Sequence, residues 1–391
     1  MGFALVITYG RQNISDKDIQ AVVDVLHSDF LTQGPIVPAF EKSVADYCGA
    51  QHAIAVNSAT SALHIACLAL GVGPDDVVWT SPNTFVASAN CVRYCGAKID
   101  FVDIDPRTYN MSIECLSEKL VNAELEGNLP KVVIPVHMTG QPCDMAAIYK
   151  LSQKYKFKII EDAAHAIGGK YRDEPIGNCH YSDITVFSFH PVKIITTGEG
   201  GMALTNCEYL SKRMKLFSSH GITSSAKDMH QRPKEEIWNY QQIDLGFNYR
   251  MTDMHAALGL SQMKRLDEFV TTRHSIANRY EELFTNLPIT TPYQHSENYS
   301  SFHLYVIRLK LNDISKSQRE VFAELGTAGI GANLHYIPVY KQPYYEQLGF
   351  KTGYCPEAEK YYLEAISLPM YFGLKESELE YVVTSLKDIL Q

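Results

Sequence analysis

The sequence predicts an α/β protein that is built around a large, mainly parallel sheet. Segments rich in Val and Ile alternate with segments of helical length between residues 52 and 162. The strand segments show no regular alternation of polar and apolar residues, as expected for strands that are buried on both faces. The chain has 391 residues, which is long enough for more than one domain.

The alternating elements follow one another with short connections. The predicted strands are residues 52–57, 77–80, 98–103, 132–137 and 158–162. The predicted helices between them are residues 58–70, 84–94, 113–125 and 145–155. Because a helix separates each strand from the next, neighbouring strands are expected to run in the same direction.

The pattern changes after Asp162. Residues 184–189 and 201–205 are predicted to be two strands that are joined by a loop, HPVKIITTGEG, rather than by a helix. Helical periodicity then runs from about residue 252 to 284, followed by a strand near 303–309 and helices near 315–328 and 376–390. We therefore expect a large α/β domain at residues 1–250 and a smaller α+β domain at residues 251–391.

Composition excludes several classes of protein. Thirty-five basic residues against 44 acidic ones give a formal charge of −9, which argues against a nucleic-acid surface. No apolar run approaches the roughly 18–20 residues of a membrane span. The nine Cys residues contain no CxxC pair, and we expect them to be reduced core residues without a metal site. These features, and the absence of a secretory signal pattern, predict a cytoplasmic protein.

Lys193 is the first candidate for chemistry. Its neighbours in SFHPVKIITTGEGG are mostly apolar, small or neutral. Removal from water lowers the pKa of a lysine and leaves a neutral amine that can attack a carbonyl. The alternative is an ordinary exposed loop lysine.

Asp162 is the second candidate, because it ends the strand KIIED. Carboxyl ends of parallel strands face the crevice in which α/β sheets bind ligands, although an aspartate there can also be a simple turn or cap residue. Together, Lys193 and Asp162 predict pyridoxal phosphate chemistry. That cofactor needs a Schiff-base lysine and an acidic partner for its pyridinium nitrogen.

A phosphate site is predicted where the first strand enters its helix, in the run Asn57-Ser58-Ala59-Thr60-Ser61. Free backbone N–H groups at a helix N-terminus favour an anion, and the hydroxyl groups add donors. Without a ligand, the same run is an ordinary helix cap. Ser188 could supply another hydroxyl, and Phe85 could stack on a planar ring or pack in the core.

At this point the sequence resembles the nucleotide-sugar aminotransferases of the DegT/DnrJ/EryC1/StrS type, which belong to the fold-type I pyridoxal phosphate superfamily. The resemblance rests on five motifs in family order, which are NSATSAL, SPNTFVASAN, EDAAHAIGG, SFHPVKIITTGEGG and GFNYRMTDMHAALG. It implies that Lys193 forms the Schiff base and shuttles a proton, and that Asp162 pairs with the pyridine nitrogen. It further implies cofactor contacts from Ala59, Thr60, Phe85, His165 and Ser188.

The resemblance also implies a homodimer with shared active sites, because Asn248 of GFNYRM would bind the cofactor phosphate in the neighbouring subunit. L-Glutamate would give its amino group to the cofactor and leave as 2-oxoglutarate, and a 4-keto sugar nucleotide would accept the amine. One branch of the family has His in place of the lysine and performs dehydration. Lys193 therefore favours transamination.

Within the family, three segments resemble the transaminases of pseudaminic acid biosynthesis: VASANCVRYCGAKIDFVDID, PVHMTGQPCDM and FHPVKIITTGEGGMALTN. That subgroup would convert a UDP-4-keto-6-deoxy-N-acetylhexosamine to UDP-4-amino-4,6-dideoxy-N-acetyl-β-L-altrosamine. The implied sugar-nucleotide contacts are Tyr9, Asp29, Phe30, Leu31, Thr32, Asn248, His335 and Tyr336. For Tyr9 and Tyr336, packing at an interface is the alternative.

Other functions remain open. The same motifs would suit another GDP-linked or dTDP-linked 4-keto sugar, or the D-configured UDP sugar. A nicotinamide-dependent sugar oxidoreductase would need GxGxxG after a strand and before a helix, whereas GEGG at residues 198–201 precedes a predicted strand. A non-catalytic cofactor-binding regulator would be expected to carry a basic DNA-binding module, and neither charge nor length leaves room for one.

Overall fold

The structure is a computed structural model and describes residues 7–231, 236 and 238–391. Its helices are α1 (Asp16–Leu26), α2 (Ile36–Cys48), α3 (Ala59–Ala69), α4 (Ala87–Tyr94), α5 (Ile113–Glu126), α6 (Met145–Tyr155), α7 (Glu208–Ser218), α8 (Asp253–Met263), α9 (Leu266–Leu283), α10 (Gln318–Thr327), α11 (Pro343–Glu346), α12 (Pro356–Glu364) and α13 (Glu376–Leu390). Its strands are β1 (His52–Val56), β2 (Val77–Thr80), β3 (Lys98–Phe101), β4 (Val132–Ile134), β5 (Lys158–Asp162), β6 (Lys170–Tyr171), β7 (Glu174–Pro175), β8 (Ile184–Ser188), β9 (Gly201–Thr205), β10 (Ile222–Thr223), β11 (Gln241–Gln242), β12 (Ile289–Thr290), β13 (Asn298–Tyr299), β14 (Tyr305–Leu309) and β15 (Ala365–Leu368).

A seven-stranded sheet forms the centre of the protein, in the order β1-β9-β8-β5-β4-β2-β3. Strand β9 is antiparallel to both of its neighbours, and the remaining pairs are parallel. This confirms the predicted mainly parallel sheet. The predicted loop between β8 and β9 is also confirmed, because no helix lies in the described residues between these two strands. A loop is sufficient here, since the two strands are antiparallel neighbours and only a parallel pair needs a crossover connection.

Both faces of this sheet are covered. Along β1, Ile54 and Val56 pack in one apolar cluster with α3 and α4, whereas Ala53 and Ala55 pack in a second cluster. That second cluster contains residues of α2, α5, α6 and α8. Two buried faces explain why the strands lack polar alternation, and they leave the strand ends as the places where polar groups can gather.

The C-terminal part contains a three-stranded antiparallel sheet in the order β12-β14-β15. A third apolar cluster joins β14 and β15 to the second half of α9, to α10 and to α13, and it includes Ile7. A smaller α+β unit was predicted for this region. The domain boundary near residue 250 stays a prediction, since α8 packs with α1 and α2.

Two helices differ from the sequence prediction. The helix predicted from 252 to 284 is two helices, because Lys264 and Arg265 donate backbone hydrogen bonds to residues three positions earlier, and Arg265 leaves the helical region. The helix predicted to begin at Thr84 begins at Ala87, since Thr84 and Phe85 lie in the preceding turn.

Among the described residues, no helix is long and apolar enough to span a membrane. The described residues also contain no group of three or more His, Cys, Asp or Glu side chains suited to a metal ion. The cytoplasmic location stays a prediction.

Candidate active site

A cavity of about 490 Å³ lies where β5 and β8 end and α3 begins. Its volume is within the usual range for small-molecule sites. Most of the predicted site residues line it, together with residues from the C-terminal part. The lining includes Tyr9, Ser58, Ala59, Thr60, Thr84, Phe85, Asp162, His165, Ser188, Lys193, His303, Asn333, His335 and Tyr336.

Lys193 lies in the loop between β8 and β9, and its backbone N–H donates to the carbonyl of His190 at 2.9 Å. Its side chain lines the cavity and is partly buried. Burial lowers the pKa of its amine from 10.5 to about 8, and the nearby Asp162 carboxylate opposes the shift. A substantial neutral fraction therefore exists near neutral pH, and neutral amine is what attacks an aldehyde.

This pKa predicts how cofactor capture depends on pH. The cofactor-free protein should capture pyridoxal phosphate faster as the pH rises, with a midpoint near 8 instead of the usual 10.5. The sign follows because protonation, which removes the nucleophile, occurs below the pKa. The rate can be measured by borohydride trapping across about pH 6–10. A midpoint near 10 would contradict the burial of this amine.

Asp162 ends β5 and is buried. Ser88 Oγ donates to its Oδ2 at 2.5 Å, and the backbone N–H of Ala164 donates to its Oδ1 at 3.1 Å. Ser88 in turn contacts Thr84 Oγ1 at 2.7 Å. These donors hold the carboxylate at the cavity wall.

The N-terminus of α3 forms another wall of the cavity. Ser58 is its N-cap and accepts the backbone N–H of Ser61 at 3.1 Å. The first N–H groups of a helix have no intrahelical partner, so those of Ala59 and Thr60 suit an anion. Ser188, at the end of β8, lines the same cavity and adds a hydroxyl.

Gly201 lets this helix N-terminus approach the sheet closely. A Cβ at Gly201 would overlap the backbone of Ser58 and the backbone nitrogen of Ala59. We expect Gly201→Ala to introduce roughly 1–3 kcal/mol of strain and to weaken pyridoxal phosphate binding about tenfold or more. Equilibrium dialysis measures the effect. Gly326→Ala is the control, because a Cβ there meets nothing within 4 Å. Equal affinity in both variants would refute this role of the helix N-terminus.

Three histidines surround Lys193. His165, His303 and His335 are all buried and line the cavity. Burial lowers the pKa of each of them, to about 3 for His335, and the Lys193 ammonium acts in the same direction. The cavity therefore presents neutral imidazoles that can donate or accept hydrogen bonds without adding charge.

The residues fit the cofactor that the sequence predicts. Pyridoxal phosphate presents an aldehyde, a phosphate, a ring nitrogen and a phenolic oxygen. The cavity offers an amine at Lys193, helix N–H groups at Ala59 and a carboxylate at Asp162. His165 Nδ1 is buried and, within the described part of the chain, has no hydrogen-bond partner. Such an atom is a suitable partner for the phenolic oxygen, because a buried polar atom is costly without one.

The predicted sugar contacts divide into two sets. Tyr9, His335 and Tyr336 lie together, with ring centroids 5.3 Å apart for Tyr9 and His335 and 4.9 Å apart for His335 and Tyr336. Phe85 is 57% exposed, and its ring lies 6.2 Å from that of Tyr336. The Phe85 side chain is therefore accessible for stacking on a planar ring in the cavity.

The second set does not line this cavity. Asp29, Phe30, Leu31 and Thr32 are exposed, and the backbone carbonyl of Leu31 accepts from Asp253 N–H at 3.0 Å. Asn248 is also exposed, and its carbonyl lies 3.4 Å from Asn57 Nδ2. The predicted contacts of these five residues stay predictions, as does the predicted reach of Asn248 into a second subunit.

Sequence reasoning missed several residues of the cavity region, including Ser88, His303 and Asn333. Ser88 lies three positions after Phe85, and its hydrogen bond to Asp162 becomes visible only when α4 packs on β5. His303 and Asn333 come from the C-terminal part and line the cavity. No local pattern marks them, because their place depends on how that part packs on the large sheet.

Comparison with known proteins shows the family to which the chain belongs. A family model described as the DegT/DnrJ/EryC1/StrS aminotransferase family matches residues 12–387. The chain is 37% identical to the spore coat polysaccharide biosynthesis protein SpsC of Bacillus subtilis, with 98% of this chain and 97% of that protein covered. It is 35% identical to the UDP-4-amino-4,6-dideoxy-N-acetyl-beta-L-altrosamine transaminase of Campylobacter jejuni, with 99% and 98% covered. It is 37% identical to GDP-perosamine synthase of Caulobacter vibrioides, with 98% of each covered.

Solved structures show the same fold. PseC of Helicobacter pylori, an aminotransferase involved in the biosynthesis of pseudoaminic acid, has a TM-score of 0.89 and 30% identity, with 98% of this chain and 99% of that chain covered. The PLP form of Spr1654 from Streptococcus pneumoniae has a TM-score of 0.87 and 30% identity, with 99% and 100% covered. The chain therefore belongs to the DegT/DnrJ/EryC1/StrS family of pyridoxal phosphate-dependent sugar aminotransferases.

Proposed function

We propose that this protein transfers the amino group of L-glutamate to C4 of a UDP-linked 4-keto-6-deoxy-N-acetylhexosamine. The products are 2-oxoglutarate and UDP-4-amino-4,6-dideoxy-N-acetyl-β-L-altrosamine. An amino group and a keto oxygen change places between the two substrates, so no external oxidant is needed. The placement of Lys193 and Asp162 in one cavity is the observation that carries the transamination.

The cofactor, when bound, supplies an electron sink for the substrate carbon that loses a proton. Lys193 moves that proton. Its amine, with a pKa of about 8, can accept a proton from the substrate carbon and return it near neutral pH. Ser88 and the Ala164 N–H hold both oxygens of Asp162 at the cavity wall, where this side chain would pair with the ring nitrogen of the cofactor.

Neutral polar groups of the C-terminal part orient the sugar. His335 Nδ1 lies 2.8 Å from Ser367 Oγ, and its carbonyl accepts from Tyr361 Oη at 2.6 Å, so its ring and backbone are fixed. Burial raises the pKa of the Tyr336 hydroxyl, which therefore stays protonated. Fixed neutral donors and acceptors suit the hydroxyl and acetamido groups of a hexosamine.

We further propose that the working unit is a homodimer. A sugar nucleotide carries a diphosphate, but Lys193 is the sole Lys or Arg among the residues that line the cavity in the described part of the chain. Further positive charge or N–H donors are therefore needed for this group. A second copy of the chain, with Asn248 near the site, would supply them, and light scattering of the purified holoenzyme tests the dimer.

A substrate panel tests the proposed specificity. The holoenzyme is given glutamate with UDP-, GDP- and dTDP-linked 4-keto-6-deoxy sugars, including both C5 configurations of the UDP sugar, and released 2-oxoglutarate is measured. We expect the highest kcat/KM with the UDP-linked L-configured N-acetyl sugar. A preference for any other sugar in the panel would overturn this substrate while leaving the aminotransferase reaction in place.

The similarity to GDP-perosamine synthase favours a GDP-linked 4-keto sugar as the second candidate. This chain is 37% identical to that protein and 35% identical to the altrosamine transaminase. We prefer the UDP sugar because three segments of the sequence resemble the pseudaminic acid subgroup.

A further inference from the structure

Beside His165 lies a second buried histidine, His303, which comes from the C-terminal part of the chain. The ring centroids of the two imidazoles are 4.4 Å apart, and the rings are tilted by 53°. His303 is 3% exposed and lines the same cavity as Lys193. Its Nδ1 is buried and has no hydrogen-bond partner among the described residues, as is also true of His165 Nδ1.

The chain fixes the backbone on both sides of His303. Arg273 of α9 is buried, and its Nη1 donates to the carbonyls of Phe302 and His303 at 3.1 Å each. Leu304 N–H donates to the carbonyl of Thr139 at 3.2 Å. Phe302 has a φ of 47°, a left-handed conformation that is uncommon for a bulky residue. These contacts hold the His303 ring at the cavity despite the unfavourable backbone.

The same segment also holds His165. Ser301 Oγ donates to the backbone carbonyl of His165 at 2.7 Å. The Nε2 atom of that ring lies 3.1 Å from the hydroxyl of Tyr336. His303 covers one side of the ring, so a flip of the imidazole would have to displace a side chain that is itself fixed. The His165 Nδ1 is then the ring nitrogen that remains for a ligand.

We propose that His303 is a positioning residue of the cofactor site. It acts through His165, whose ring it holds in one orientation and one neutral tautomer, so that Nδ1 faces the bound cofactor. This rests on the proposed function, because His165 needs a fixed orientation only if it contacts pyridoxal phosphate. A neutral imidazole has one N–H and one lone pair, so its tautomer decides which partner it can bind.

The surrounding charges support this role. Lys193 from the β8–β9 loop and His335 disfavour protonation of both imidazole rings. Arg273 from α9 disfavours protonation of His303. Asp162 and Tyr336 line the same cavity. Burial and the cationic neighbours lower the pKa of both His165 and His303. With both rings neutral, their close contact carries no charge repulsion.

Two variants and one control test this role. His303→Phe keeps a ring of similar bulk without the nitrogens, and His303→Ala removes the ring. His180→Phe is the matched control, because His180 stacks on Tyr181 with ring centroids 4.5 Å apart and does not line the cavity. Thermal unfolding of each protein shows which variants are folded.

The first measurement uses the cofactor-free protein with ¹⁵N-labelled histidines. In the wild type and His180→Phe we expect His165 to be a single neutral tautomer, and in His303→Ala a mixture of tautomers. The second follows the visible band of the bound cofactor with pH. We expect its midpoint to move by about one pH unit in His303→Ala, and by less in His303→Phe.

The outcomes separate this role from the proposed function. If the wild type fixes no cofactor with borohydride, the proposed function fails. If every variant fixes cofactor at Lys193 and shows the wild-type tautomer and midpoint, the role of His303 is refuted and the proposed function stands. If His303→Ala does not fold, the midpoint in His303→Phe is compared with that in His180→Phe, and equal midpoints refute the role of His303.

Discussion

Lys193→Ala should lower the transamination rate by about 10⁴-fold or more. The variant loses the amine that we propose to hold the cofactor covalently and to move the proton during turnover. No other lysine lines the cavity in the described part of the chain, so no second amine is placed to replace that of Lys193. Release of 2-oxoglutarate from glutamate and a 4-keto sugar nucleotide measures the loss.

Lys158→Ala is the control for this loss. Lys158 begins β5 at the end opposite Asp162 and pairs with Asp183 at 2.9 Å on the surface. We expect its rate to stay near that of the wild type, because exposed ion pairs contribute little. A Lys193→Ala protein that turns over within tenfold of the wild type would show that the chemistry lies elsewhere.

Asp162→Asn should lower kcat by about 10²–10³-fold, the usual cost of losing one preorganised electrostatic group. The amide is nearly isosteric with the carboxylate but is neutral, so the cofactor ring would lose the anion that stabilises a protonated ring nitrogen. The Ser88 hydroxyl can still bond to the amide oxygen. We therefore expect a folded protein with bound cofactor and slow proton transfer.

The control for this variant is Asp46→Asn. Asp46 lies on the exposed surface of α2, in an ion pair with Lys42 at 2.8 Å, far from the cavity lining. Single-turnover kinetics with glutamate measure the step that Asp162 should affect. An unchanged rate in Asp162→Asn would mean that this carboxylate does not interact with the cofactor ring.

The central sheet could be predicted because its signal is local. Strands of Val and Ile that are separated by helices predict parallel pairing, and β2 to β5 follow that pattern. Strand β1 instead pairs with β9 and is antiparallel to it. The break between α8 and α9 could not be predicted, since apolar periodicity continues across it. Gln262 donates to Asn13 O and to Asp18 Oδ2 at that point, and these tertiary contacts are invisible in the local sequence.

The site residues also divide into those with a local sequence signal and those placed by tertiary contacts. Lys193 and Asp162 were predicted from their neighbours, and both line one cavity. His303 could not be predicted, because its place depends on Arg273, Ser301 and the packing of the C-terminal part against residues 139–140. Overall sequence identity does not distinguish between the candidate substrates. Proteins that are 35% and 37% identical to this chain carry the names of UDP-sugar and GDP-sugar enzymes.

The covalent attachment of the cofactor tests the account most directly. The purified holoenzyme is reduced with borohydride and digested, and mass spectrometry locates the reduced pyridoxal phosphate group. We predict one modified site, Lys193, in the wild type and none in Lys193→Ala. A wild-type protein without the modification, or with it on a different lysine, would contradict the assignment of this cavity as the active site.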